Sequence, residues 1–122
     1  HLVGSFVSKE QPSIIDDSSI RSGFYGAPTV ITIFGPKSFL YSVPDAFCAA
    51  ENMVLEATAL GLASCILARG EETFDNPEGA EILQSWNIPD TMVARCFVIL
   101  GYIDGDYPAS KPRKKGRFVI IK

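Results

Sequence analysis

The first strong pattern along the chain is "TVITIF" (Thr29 to Phe34), which is β-branched or aromatic at every position and bounded by Pro28 and Gly35. An unbroken apolar run of this length predicts a strand covered on both faces, central in a sheet. Before it, residues 1–27 carry only weak signals. "SKEQPSIIDDSS" is polar and turn-rich around one apolar pair, Ile14 and Ile15, and predicts irregular structure with one helical turn at most. The period changes again over Asp45 to Leu60, "DAFCAAENMVLEATAL". Pro44 suits a first helical position and Gly61 the residue just past the end, so a helix is predicted between them. Its polar residues Glu51, Asn52, Glu56 and Thr58 are too few for a broad solvent face, which predicts burial on most sides. In so small a domain, a second subunit covering one side is the simplest way to achieve that.

Further on, "ASCILAR" predicts a short strand and "GEETFDN" a loop. Asn76 and Pro77 form a helix start, N-cap followed by first position, leading into "EGAEILQSW". "NIPD" breaks that helix. "MVARCFVILGY" predicts a second buried strand, "IDGDYPAS" a loop and "RFVIIK" a final strand. The order β, α, β, α, β, β fits an α/β or α+β sandwich around one sheet.

Composition narrows this picture. A length of 122 residues, with 47% hydrophobic and 20% charged residues, suits one globular domain. No apolar run approaches the roughly 18 to 20 residues that span a bilayer, and nothing at the start reads as a signal peptide, so no membrane is expected and the cytoplasm is the expected location. The chain opens on His1 rather than Met, and "HLVGSFV" reads like the interior of a protein, so a single domain over 1–122, truncated at its N-terminus, is expected. Cys48, Cys65 and Cys96 are widely spaced within apolar stretches and read as buried, reduced thiols. With His1 the lone histidine, neither a histidine triad nor a metal site is expected.

Charge is distributed unevenly. Residues 111–117, "KPRKKGR", hold five of the eleven Lys and Arg and no acid, leaving six basic against 14 acidic residues elsewhere. A binder of nucleic acid spreads basic residues over a face and has a high pI; here the pI is near 5.0 and no aromatics are interleaved with the cluster. Two readings remain: a solvated basic edge, or a local site for a small anion. In the second, Lys111 supplies a point charge and Arg113 a bidentate fork for a monophosphate, with Pro112 stiffening the chain between them.

Other chemistry is thin. Glu71-Glu72 and Asp104-Asp106 are carboxylate pairs that read as solvated loop acids. The glycine-rich phosphate loops GxGxxG and GxxxxGK[ST] do not occur, nor does the nucleophile motif GxSxG. No residue stands out as a catalytic acid, base or nucleophile. An enzyme built on this chain would leave the difficult step to a cofactor.

Four stretches, in order, make the chain similar to the C-terminal two-thirds of the FMN-dependent nitroreductase family. They are "YGAPTVITIF" (Tyr25 to Phe34), "DAFCAAENMVLEATALGLASCIL" (Asp45 to Leu67), "GAEILQSWNIPD" (Gly79 to Asp90) and "VILGYIDGDYPASKPRKKGR" (Val98 to Arg117). The resemblance implies an α+β fold, a mainly antiparallel sheet flanked by helices in an intertwined homodimer, with FMN at the subunit interface and NADH or NADPH as electron donor. It also implies that reduced flavin passes electrons to a small flat acceptor such as a nitroaromatic or a quinone. By the same resemblance, Lys111 and Arg113 match the family's Lys-x-Arg contacts to the FMN phosphate, and the strand after them would anchor them to the sheet. Leu67, Ala68, Arg69 and Gly70 match the segment whose backbone N–H groups lie near flavin N5 and O4.

Two departures accompany the match. Many relatives carry Glu-Gly where this chain has Ala68-Arg69, and the family's N-terminal Arg-Ser-x-Arg-like and Ser-x-Asn-like motifs do not occur in residues 1–27. The alternative to an oxidoreductase is therefore a non-catalytic dimer module that binds flavin or another anion.

Overall fold

The computed structural model of the protein describes residues 22–106 and 109–121. The irregular segment expected before residue 22 lies outside the described residues, apart from a turn at 22–27 in which Tyr25 N–H donates to the Ser22 carbonyl at 2.9 Å. Six elements follow: strand β1 (Thr29–Pro36), helix α1 (Ser42–Ala59), strand β2 (Leu62–Leu67), helix α2 (Gly70–Phe74), helix α3 (Pro77–Ser85) and strand β3 (Met92–Tyr102). The strands form one antiparallel sheet in the order β1-β3-β2. The α+β architecture is the expected one.

β3 is the centre of this sheet, and β1, read as central from its apolar run, is an edge. The reason lies in the pairing: both β1 and β2 hydrogen-bond to β3, whose Phe97 and Val98 are almost completely buried. Two similar apolar runs cannot be ranked from sequence when their pairing is non-local.

One face of the sheet carries α1. Ala46, Ala50 and Ala57 are buried, and Met53 and Val54 complete a stripe at helical spacing. The small alanines let the helix axis come close to Cys96 and Val98, and the partly buried Ile31, Ile33, Phe47, Ile66 and Leu100 fill the margins. The Cys96 Sγ lies 3.7 Å from the Ala46 carbonyl, which accepts its weak hydrogen bond. Burial pushes this thiol above the ordinary value of 9.0, so it stays neutral and inert. The other two thiols depart from expectation: Cys48 and Cys65 are exposed, on the outer side of α1 and on the edge strand β2.

α1 begins at Ser42, two residues before Pro44. Proline is tolerated at the third position because the first four N–H groups of a helix lack partners anyway. Its end matches expectation, with Gly61 at a φ of +72° just beyond the C-cap Leu60. Burial on most sides is not observed within the single chain: Cys48 and Leu55 lie open to solvent along the outer side.

The opposite face is aromatic. Phe97 meets Phe24 edge-on with ring centroids 5.0 Å apart and Phe74 of α2 at 6.0 Å. Phe74 in turn touches Phe34 at 6.3 Å and Trp86 at 5.9 Å, so α2 and the end of α3 are fastened to the sheet through one ring. α3 starts as expected: the Asn76 Oδ1 accepts the Gly79 N–H at 2.7 Å, with Pro77 at the first position. Asn76→Ala is expected to cost about 1 kcal/mol in a denaturant titration. An unchanged midpoint would remove the cap from the account.

The five-residue helix α2 replaces the loop expected over "GEETFDN", and Thr73 Oγ1 donates back to the Arg69 carbonyl at 2.7 Å. The final strand expected at "RFVIIK" is not formed either. Residues 117–121 have no strand partner among the described residues, and Phe118, Val119, Ile120 and Ile121 are 74–92% exposed. Strand-type side chains alone do not make a strand; a ladder needs an open edge within reach.

Candidate functional site

The end of β2 and the start of α2 border a cavity of about 740 Å³. Val43, Phe47, Phe74 and Met92 give it an apolar wall, while Lys37, Arg95, Glu71, Glu72 and Asp75 bring charge to it. Ala68 is part of the wall, at the point where the chain leaves the sheet.

The expected site residues divide into two groups. Leu67 is the last residue of β2, in register with Phe97. Arg69 is exposed and occupies the N-cap position of α2, with no side chain capping it. Among the described residues, no backbone hydrogen bond outside the helices and strands is donated by Ala68, Arg69 or Gly70. Gly70 is buried, and a Cβ there would sit 2.7 Å from the Ala94 carbonyl carbon and oxygen and 2.8 Å from the Arg95 carbonyl carbon. Glycine at this position is therefore set by close approach to the central strand. These four residues form one continuous turn beside the cavity.

Lys111 and Arg113 belong to the other group. Both are exposed, in the stretch 109–121 that forms neither helix nor strand, and neither lines the cavity. No described acidic residue pairs with them. Among the described residues the anchoring strand expected behind them is not formed: Phe118 to Ile121 pair with neither edge strand, β1 nor β2.

Sequence reasoning passed over Arg95. The ladder between β1 and β3 shifts at Ile33/Phe34: Ile33 opposes Cys96, Phe34 opposes Ala94, and Arg95 is left over as the extra residue of a β-bulge. Its side chain is 9% exposed and fully engaged. Nε donates to Ser42 Oγ at 2.9 Å, Nη2 to the Pro36 carbonyl at 2.8 Å and the Lys37 carbonyl at 3.3 Å, and Nη1 to Glu71 Oε1 in an ion pair. Gly35 makes room for this, since a Cβ there would overlap Ser42 Oγ. The signal was present in "MVARCFVILGY": one arginine inside an otherwise apolar strand must find partners for its charge.

Comparison with known proteins places this geometry. A model of the nitroreductase family matches residues 5–102. Among solved structures, the chain is similar to a nitroreductase with bound FMN from Bacteroides fragilis, at 34% identity and a TM-score of 0.73 over 81% of this chain and 54% of that one. It is also similar to an FMN-dependent nitroreductase from Clostridium difficile, at 31% identity and a TM-score of 0.58 over 73% of this chain and 54% of that one. A nitroreductase with bound FMN from Desulfitobacterium hafniense, 23% identical with a TM-score of 0.66 over 81% of this chain and 53% of that one, shares the fold. The search among curated proteins gave no match.

The fold is that of a nitroreductase-like α+β protein. The chain belongs to the nitroreductase family. It spans about half the length of the solved relatives it matches.

Proposed function

We propose that the protein acts as an FMN-dependent oxidoreductase of the nitroreductase type, with NADH or NADPH as donor and a small flat molecule, such as a nitroaromatic or a quinone, as acceptor. The observation that carries this reading is the Leu67–Gly70 turn, which runs from the sheet into α2 with Ala68 in the wall of a partly apolar cavity. Such a turn fits a flavin, whose ring is flat and apolar on its faces and polar along one edge. FMN, when bound, supplies the acceptance and release of hydride that no side chain here can perform.

The roles of the chain's own residues follow. Ala68, Arg69 and Gly70 would donate backbone hydrogen bonds to the polar edge, near N5 and O4, with Leu67 fixing where the turn leaves the sheet. Donors fixed in advance favour the charge that develops on reduction and need little rearrangement. Val43, Phe47, Phe74 and Met92 would keep water from the ring faces. Lys111 and Arg113 would hold the phosphate, the arginine through a paired fork and the lysine as a point charge.

A homodimer is part of the same proposal. Leu55 along α1, with Leu60 just past its end, and the exposed run Phe118 to Ile121 are apolar surface that a second copy would cover. No described helix is long and apolar enough to cross a membrane. Three free thiols suit the reducing cytoplasm as the proposed setting.

Titration with FMN, followed by flavin fluorescence, tests the reading. Saturable binding supports it; the absence of binding, both by this chain and by the chain extended at its N-terminus, would favour the non-catalytic module. Arg113→Ala is expected to weaken FMN binding by about 1.5–3 kcal/mol, the loss of a charged hydrogen bond. Unchanged affinity would take Arg113 out of the phosphate site.

A further inference from the structure

We propose that Arg95 is a positioning residue for the flavin-facing turn: from its β-bulge it locks the start of α2 against the central strand and so fixes the direction of the Ala68 and Arg69 N–H groups. The inference rests on the flavin reading of Leu67–Gly70 given above.

Two fixed points bracket the turn. At one end Leu67 is held in the β2 ladder opposite Phe97. At the other, Gly70 lies directly on the backbone of Ala94 and Arg95, where even a methyl group has no room. Glu71, the next residue, is tied to the Arg95 guanidinium. The same guanidinium reaches Ser42 at the start of α1 and the carbonyls of Pro36 and Lys37 at the end of β1. One side chain therefore ties three elements to the bulge, and the two residues between the fixed points have little freedom left.

Only arginine can do this. Its planar fork presents five donors in fixed directions, and here they serve four acceptors; a lysine ammonium at the same place lacks the reach and the planarity to serve all of them. The bulge supplies the aim. An extra residue on one strand turns its side chain away from the ordinary alternation, which brings Arg95 to the strand end where β1, α1 and α2 converge. Charge matters as well as geometry. Glu71 borders the cavity, and its pairing with Arg95 offsets a negative charge next to a ring that gains electron density on reduction.

The test uses the whole chain with Arg95→Lys, Glu71→Gln and Ser42→Ala. Hydrogen exchange without flavin reads the lock directly. In Arg95→Lys the amides of residues 67–71 are expected to exchange about tenfold faster or more, while those of 97–100 keep their protection. With FMN, Arg95→Lys is expected to bind about tenfold more weakly, in the range of one charged hydrogen bond, and to lose more affinity for reduced than for oxidised flavin. That asymmetry distinguishes positioning from a general loosening of the fold. Glu71→Gln keeps an acceptor and removes the charge, so it should shift the reduced-to-oxidised ratio with a smaller effect on exchange.

Unaltered exchange over 67–71 in Arg95→Lys and Glu71→Gln would overturn the proposal. So would loosened exchange with FMN affinity and ratio unchanged. Should Arg95→Lys lose protection at 97–100 as well, Glu71→Gln and Ser42→Ala decide by the same criteria. Failure of the wild-type chain to take up FMN, alone or extended at its N-terminus, would instead sink the flavin reading and with it this role. Wild-type binding that the variants leave untouched sinks the role of Arg95 alone.

Discussion

Replacing Phe97 with alanine is expected to destabilise the protein by about 3–5 kcal/mol, the usual cost of emptying a large buried aromatic site. Phe97 is 2% exposed and sits at the middle of the central strand, between Phe24 and Phe74 on one face of the sheet. The gap would not close easily, because its walls belong to three separate segments: the 22–27 turn, α2 and the ladder to Leu67. Domains of this size are commonly stable by about 5–15 kcal/mol, so the change would consume a large part of the total. Trp86, the single tryptophan, reports on it, since its ring touches Phe74 and Phe74 touches Phe97. A urea titration followed by its emission should show the midpoint fall steeply for Phe97→Ala and much less for Phe97→Leu. A loss below about 1 kcal/mol for the alanine variant would mean that the site collapses freely, contrary to the packing described.

The second large effect is expected at Gly70, and its sign runs against the ordinary rule. Glycine to alanine in a helix usually stabilises by up to about 1 kcal/mol. Here the added methyl would meet carbonyl atoms of Ala94 and Arg95 at 2.7–2.8 Å, and these are backbone atoms of the central strand that no rotamer change can move. Gly70→Ala is expected to cost about 1–3 kcal/mol, as overpacking does, and Gly70→Val more. Because the strain falls on the turn bearing Ala68 and Arg69, FMN affinity should drop together with stability. An alanine variant as stable as the parent would show that α2 can lift off the sheet, and the close approach would then be incidental.

Much of the scaffold was legible in the sequence, and particular residues explain the limits. Asn76-Pro77 marked the start of α3 because capping is local chemistry. Gly61 marked the end of α1 for the same reason. β1 and β3 were recognised as strands, but which is central depends on partners some sixty residues away, and an apolar run does not encode that. α2 was missed because "GEETF" has little helical signal of its own; the Phe74 ring packed on Phe97 and Phe34 holds it. Phe118 to Ile121 show the converse, strand propensity in residues that stay exposed and join neither edge of the described sheet.

The candidate site was legible only through the family pattern. Leu67 to Gly70 were located by their order in the chain, whereas the physical reason for Gly70, contact with a bulge, involves residues 94 and 95. Arg95 was legible in principle. A lone charge in "MVARCFVILGY" asks for partners, but sequence does not say that they would be Ser42, Glu71 and the carbonyls of Pro36 and Lys37.

The strand order β1-β3-β2 also bears on how the protein is made. Both outer strands precede the central one in the chain, so neither has its hydrogen-bonding partner when it leaves the ribosome. Until residues 92–102 have emerged, α1 can form only as a helix without the sheet it packs against, and β1 and β2 wait as unpaired apolar segments. Once β3 is out, it can pair on both sides, and Arg95 arrives with it. A nascent chain halted before Met92 should therefore be a client for chaperones, and one that passes Tyr102 should become protease-resistant in a single step.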